Sequence, residues 1–158
     1  LTALLSLLLV GCSPKKSEVL EVVTVSELVE RIEQPANRLT VFNFWASWCT
    51  PCLKEMPEFE VFAKSNPDAR VVFISLDRPA VWETKVPEKI NELGIQSEVW
   101  LLETPANMDW RFKISERWEL MSIPVTLITL GDQRLFFDAP LNRNDLEVAQ
   151  LRLLKNFE

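Results

Sequence analysis

Short apolar runs alternate with amphipathic stretches along most of the chain, and the two periodicities predict alternating strands and helices. Residues 19–25 read as a strand, followed by a helix that Ser26 would N-cap and Pro35 would stop. Residues 39–45 and 70–76 are nearly continuous apolar runs, the pattern of strands buried on both faces, and the second ends at Asp77. Between them, 51–64 reads as a helix. Residues 85–93 form a further helix closed by Gly94, and 99–102 a short strand. The spacing of Trp110, Ile114 and Trp118 predicts a helix over 107–118 with these three on one face. Strands at 125–130 and 134–137 meet at a Gly131-Asp132 hairpin turn, and 142–157 reads as an amphipathic closing helix. The order β-α-β-α-β, then β-β-α, predicts an α/β fold with a mixed central sheet flanked by helices.

The first ten residues break this pattern. Leu1 to Val10 are almost wholly apolar, and no charge appears before Lys15. Such a run is too short to span a bilayer as a mature helix and reads as the core of a signal peptide. It ends in Leu9-Val10-Gly11-Cys12, which resembles the bacterial lipobox, whose cysteine is acylated. The expectation is therefore a signal peptide at 1–11, a lipidated Cys12, a tether over 12–18 and one domain over 19–158. With no basic n-region and no initiator Met, the chain is expected to begin inside that signal. An ordinary signal peptide with an incidental cysteine, or an uncleaved anchor, are the competing readings. Each of the three exports the domain to an oxidising compartment.

Composition narrows the chemistry. At 158 residues and 47% hydrophobic the chain suits one domain with a real core, and a net charge of −6 argues against a nucleic-acid partner. There is no histidine, so the commonest acid–base residue and the commonest metal ligand are both missing. Proton transfer must then fall to carboxylates, cysteine, lysine or water.

Against that background stands Trp48-Cys49-Thr50-Pro51-Cys52, two cysteines in C-x-x-C spacing where the 39–45 strand gives way to the 51–64 helix. A cysteine at a helix N-terminus meets unpaired N–H groups and the positive end of the dipole, which favour a thiolate. A second thiol one turn away completes the apparatus of thiol–disulfide exchange. Zinc is a weaker reading, because Cys12 is the only other cysteine and carboxylates would have to complete the site. A purely structural bridge is weaker too, since so small a ring removes little entropy from the unfolded chain. No metal and no cofactor are expected.

The C-x-x-C with its leading Trp45-Ala46-Ser47-Trp48, the helix proline Pro57, and Ile123-Pro124-Val125-Thr126 before a hairpin together resemble the thioredoxin fold. Within it the chain is most similar to the TlpA/ResA-like, membrane-tethered thiol–disulfide proteins of bacterial envelopes. Asn43 stands where cytoplasmic thioredoxins carry an aspartate, and Glu55 matches the branch's glutamate after the motif. The 47 residues from 77 to 123 leave room for its extra helix and strand before the proline, which the resemblance makes a cis-proline. Departures fall at Gly131-Asp132-Gln133 and at Asp138-Ala139-Pro140, away from the cysteine pair.

These readings assign roles. Cys49 is the attacking thiolate, exposed at the helix start, and Cys52 the resolving thiol. Thr50 and Pro51 tune the pair: Thr50 adds no positive charge, and Pro51 suits the first helical turn. Glu55, three residues after Cys52, either accepts the Cys52 proton or merely complements the helix dipole as a first-turn acid. Pro124 is either the cis-proline that the resemblance implies or an ordinary strand-leading trans-proline; as the former it leaves the Ile123 backbone free to pair with a substrate strand. Trp48, Met121 and Ile123 form an apolar rim for a protein substrate, and Trp45 belongs to the core. The expected activity is an envelope protein-disulfide reductase, fed by a membrane electron donor, and cytochrome c maturation is a process with need of one. An oxidase or isomerase on the same fold is the alternative, and a Cu(I)-handling protein is a third reading.

Overall fold

In the computed structural model, residues 20–107, 109–120 and 122–156 are described. A six-stranded sheet forms the centre, built from β1 (Glu21–Thr24), β2 (Thr40–Trp45), β3 (Arg70–Ser75), β4 (Glu98–Glu103), β5 (Val125–Leu130) and β6 (Gln133–Phe137). Its strand order is β1-β4-β3-β2-β5-β6. The first four positions are parallel to one another, while β5 and β6 join antiparallel, so the sheet is mixed. Helices α1 (Val25–Glu33), α2 (Thr50–Ser65), α3 (Lys85–Leu93), α4 (Arg111–Ile114) and α5 (Arg143–Lys155) flank it. The long link before Pro124 contributes α3 and β4, and β4 inserts between β1 and β3.

All six residues of β2 are buried, as are all six of β5. Because side chains alternate along a strand, β2 feeds two cores. Val41 and Trp45 pack with Phe59, Phe62, Phe73 and Leu146 on the α2 and α5 side. Phe42 and Phe44 pack with Trp100, Trp110 and Trp118 on the α1 side. Asn43 shares the first face and is the polar exception in this strand's centre.

Local chemistry sets the helix limits. For α1 the N-cap is Thr24 and not Ser26: Thr24 accepts from the Glu27 N–H while the Glu27 carboxylate accepts from the Thr24 N–H. That reciprocal capping box outcompetes a lone serine two residues later. Gly94 closes α3 at φ +65°, a left-handed conformation that strains other residues, and Gly131 turns the β5–β6 hairpin at φ +56°.

One helix expectation fails. The segment 107–118 yields only the four-residue α4. Ser115 is extended there and its hydroxyl accepts from the Arg117 N–H, which diverts the backbone from the helix. Arg111 then donates to the carbonyls of Trp118 and Glu119. Trp110, Ile114 and Trp118 are nevertheless all buried, with the two indoles edge-to-face at 5.4 Å. The closing helix α5 stands where the pattern predicts it, with Asn142 as its N-cap; it buries Leu146, Ala149 and Leu153 on one face and leaves Val148, Leu151 and Leu154 in solvent. Among the described residues no helix is long and apolar enough to cross a membrane.

Candidate functional site

The C-terminal ends of the parallel strands β2 and β3 carry the loop on which the cysteines sit. Ala46 to Cys49 form a turn closed by the Cys49 N–H donating to the Ala46 carbonyl at 3.0 Å. Cys49 is the N-cap of α2, and the Cys52 N–H points at its sulfur at 3.4 Å. Pro51 lies in the first turn, where no backbone donor is needed. Cys49 and Cys52 are joined as a disulfide. Contrary to the expectation of an exposed sulfur residue, Cys49 is only 4% exposed. The carbonyl oxygen of Ile123 stands 3.7 Å from its sulfur, and the Ile123–Pro124 peptide bond is cis. Trp48, by contrast, is 71% exposed, and Thr50 is also exposed. Ile123 is half-buried, Pro124 is buried, and Trp45 is core. Cys12 and Met121, together with the proposed signal and tether, lie outside the described residues.

Behind the disulfide lies a polar cluster within the sheet–helix interface. Glu55 is in the second turn of α2 and buried, so it is not the exposed first-turn acid of the helix-dipole reading. One carboxylate oxygen accepts from Asn43 Nδ2 at 2.7 Å and the other from the Leu141 N–H at 2.7 Å. Asn43 Nδ2 also donates to Thr126 Oγ1 at 3.1 Å, across the β2–β5 pairing. Asn43 Oδ1 is buried without a partner. Burial pushes the Glu55 carboxyl up from its ordinary 4.5 to about 7, against the pull of the Leu141 and Asn43 donors. A cleft of about 700 Å³ opens beside it between the starts of α2 and α5, lined by Pro51, Lys54, Glu55, Glu58, Leu141 and Arg143 among others.

A second buried acid, Asp77, follows β3. It accepts from the Ser47 N–H at 2.8 Å, the Ser47 hydroxyl at 2.7 Å and the Ser75 hydroxyl at 2.9 Å. Sequence reasoning marked Asp77 only as the end of a strand. Its signal was an acid at the C-terminal end of a strand next to the cysteine loop, with a serine two residues before Cys49. Leu141, whose N–H holds Glu55, lies 86 residues from it, and no local pattern could pair them.

Comparison with known proteins agrees with this geometry. The sequence model of the family "Thioredoxin" matches residues 19–95. A thioredoxin-related protein from Neisseria meningitidis serogroup B superposes with a TM-score of 0.63 at 22% identity, covering 78% of this chain and 90% of its own. The chain has the thioredoxin fold. A secreted disulfide oxidoreductase from Mycobacterium tuberculosis shares this thioredoxin fold with a TM-score of 0.57 at 17% identity, over 74% of this chain and 83% of that one. Among curated proteins, the sporulation thiol-disulfide oxidoreductase A of Bacillus subtilis is 25% identical over 89 residues, 56% of this chain. That match spans 51% of the relative, so the thioredoxin-fold chain corresponds to about half its length.

Proposed function

We propose that this chain is a thiol–disulfide oxidoreductase that reduces disulfides of exported proteins. The observation that carries the reading is the Cys49–Cys52 disulfide at the N-terminus of α2, set against the Ile123 carbonyl. In the reduced protein the Cys49 thiolate attacks a substrate disulfide, one substrate sulfur leaves, and a mixed disulfide forms. Cys52 then gives up its proton and attacks Cys49, releasing the second substrate thiol and restoring the bridge. Two electrons have passed to the substrate, and a dithiol electron donor at the membrane must return them.

Glu55, one turn beyond Cys52 and with a carboxyl pKa of about 7, is suited to take that proton near neutral pH. Trp48, Ile123 and Met121 supply the apolar rim, and the backbone of Ile123 before Pro124 pairs with an extended substrate segment. Thr50 and Pro51 bring no cation, so the Cys49 thiolate rests on the helix terminus and the Cys52 N–H. Lipidation at Cys12 after removal of 1–11, with 12–18 as the tether, places the domain 19–158 in the bacterial envelope, on the TlpA/ResA-like plan. The secreted and sporulation relatives support such a setting. Cytochrome c maturation is one envelope process that needs dithiols kept reduced.

Equilibration with a glutathione redox buffer is the test. A couple near the thioredoxin value of about −270 mV is expected, because extra stabilisation of the dithiol form, the source of strongly oxidising potentials, is missing. A value more positive than about −180 mV makes the protein an oxidase or isomerase.

A further inference from the structure

We propose that Asp77 is a positioning residue for Cys49, holding the turn that presents the sulfur to the end of β3. The turn Ala46–Cys49 has Ser47 at its first corner, and Asp77 takes both of the polar hydrogens Ser47 can offer, from the amide and from the hydroxyl. The acid is itself fixed. Ser75 donates to it from within β3, the Asp77 N–H returns a bond to the Ser75 hydroxyl, and the Trp82 indole N–H holds the Asp77 carbonyl at 2.7 Å. Asp77 is 3% exposed and meets no cation among the described contacts, so it is not one half of an ion pair. A buried acid side chain with three donors aimed at it is a rigid acceptor, since releasing any one leaves a buried polar group less satisfied. What it fixes is the two-residue lead into Cys49. Trp48, beside it, is left in solvent, so little apolar packing holds that side of the turn. Without the anchor, Ser47 is free to rotate its peptide, and the sulfur is no longer held against both the Cys52 N–H and the Ile123 carbonyl.

This inference rests on Cys49 being the attacking thiol, and one experiment separates the two. Reduced full-chain protein is treated with limiting iodoacetamide, and labelling of Cys49 and of Cys52 is read by peptide mass spectrometry. In Asp77→Ala the Cys49 rate should fall on the order of tenfold, the scale of a reacting group misplaced by a fraction of an ångström. Asp77→Asn should restore it to within about twofold, because an amide oxygen still accepts from Ser47 N–H and Ser75 while its NH2 donates to the Ser47 hydroxyl. Ser47→Ala, which keeps the backbone arm, should fall between. Loss of fold stability alone would speed labelling of the buried Cys52, whereas a misplaced Cys49 slows with Cys52 still protected. A folded Asp77→Ala labelled at the wild-type rate overturns the proposal, and so does an Asp77→Asn no better than alanine. Should Asp77→Ala fail to fold, a wild-type rate in Ser47→Ala overturns it instead. Preferential labelling of Cys52 in the wild type defeats the functional reading itself, whatever the variants do.

Discussion

Two buried acids, Asp77 and Glu55, lie close in sequence or by hydrogen bond to the cysteine motif, and they are hydrogen-bonded very differently. Asp77 stands at the end of a strand with three donors from Ser47 and Ser75 converging on it. Glu55 stands inside a helix with two donors, one of them an amide whose own oxygen has no partner. Equal burial therefore does not mean equal chemistry. Asp77 is a fixed point of the structure through its three donors, whereas Glu55 has two donors and a burial that raises its carboxyl. For Glu55 desolvation wins, and the carboxyl rises to about 7.

The largest effect expected is at Cys52, the thiol whose proton Glu55 is proposed to take. Cys52→Ser should abolish turnover and accumulate a mixed disulfide through Cys49, seen as a mass increase on a non-reducing gel or by mass spectrometry. A mixed disulfide that resolves without Cys52 would remove the need for any proton acceptor, and with it the role given to Glu55. Next in size is Glu55→Gln. Resolution should slow by about a hundredfold, the low end of the usual range of about 10²–10⁴ for general acid–base catalysis, and its rate should lose the rise between pH 6 and 8. Stopped-flow following the tryptophan signal can read it. An unchanged pH profile would remove Glu55 as the acceptor of the Cys52 proton.

Legibility in the sequence divides along the same line. Residues 39–76 were readable because the apolar run of β2, the helix cap at Cys49 and the apolar run of β3 are all local signals, and the strand at 125–130 matched to the residue. The segment 107–118 was not. There the four-residue spacing of Trp110, Ile114 and Trp118 reports burial, which an irregular chain stapled by Arg111 achieves as well as a helix. At the site, Cys49, Cys52 and Glu55 were visible by spacing. The Glu55 bond from Leu141 and the Asp77 grip on Ser47 join residues 86 and 30 apart, and only the folded sheet brings them together.

A smaller effect is expected in stability. Because folded Glu55 binds its proton more tightly than the unfolded chain does, its contribution is fully present below pH 4.5 and is lost as pH rises through about 7. The loss should amount to about 2 kcal/mol, read from urea midpoints at pH 5 and pH 8 on the oxidised protein. In Glu55→Gln that slope should vanish, and the variant should be the more stable of the two at pH 8. A wild-type slope surviving in the variant would assign it to another group. The smallest effect belongs to Trp48→Ala. With 71% of the residue in solvent, the change should leave the free energy of unfolding within about 0.5 kcal/mol of wild type while raising KM for a protein disulfide several-fold. An equal KM would take Trp48 out of the contact surface.

The cleft beside Glu55 reaches from Pro51 of the cysteine motif to the side of α2 turned away from Trp48. Its walls come from the start of α2 and the start of α5, and it shares no residue with Trp48, Ile123 or Pro124. A polypeptide laid over the sulfur would thus leave the cleft to water. Access of solvent to Glu55 would then be indifferent to the size of whatever is docked.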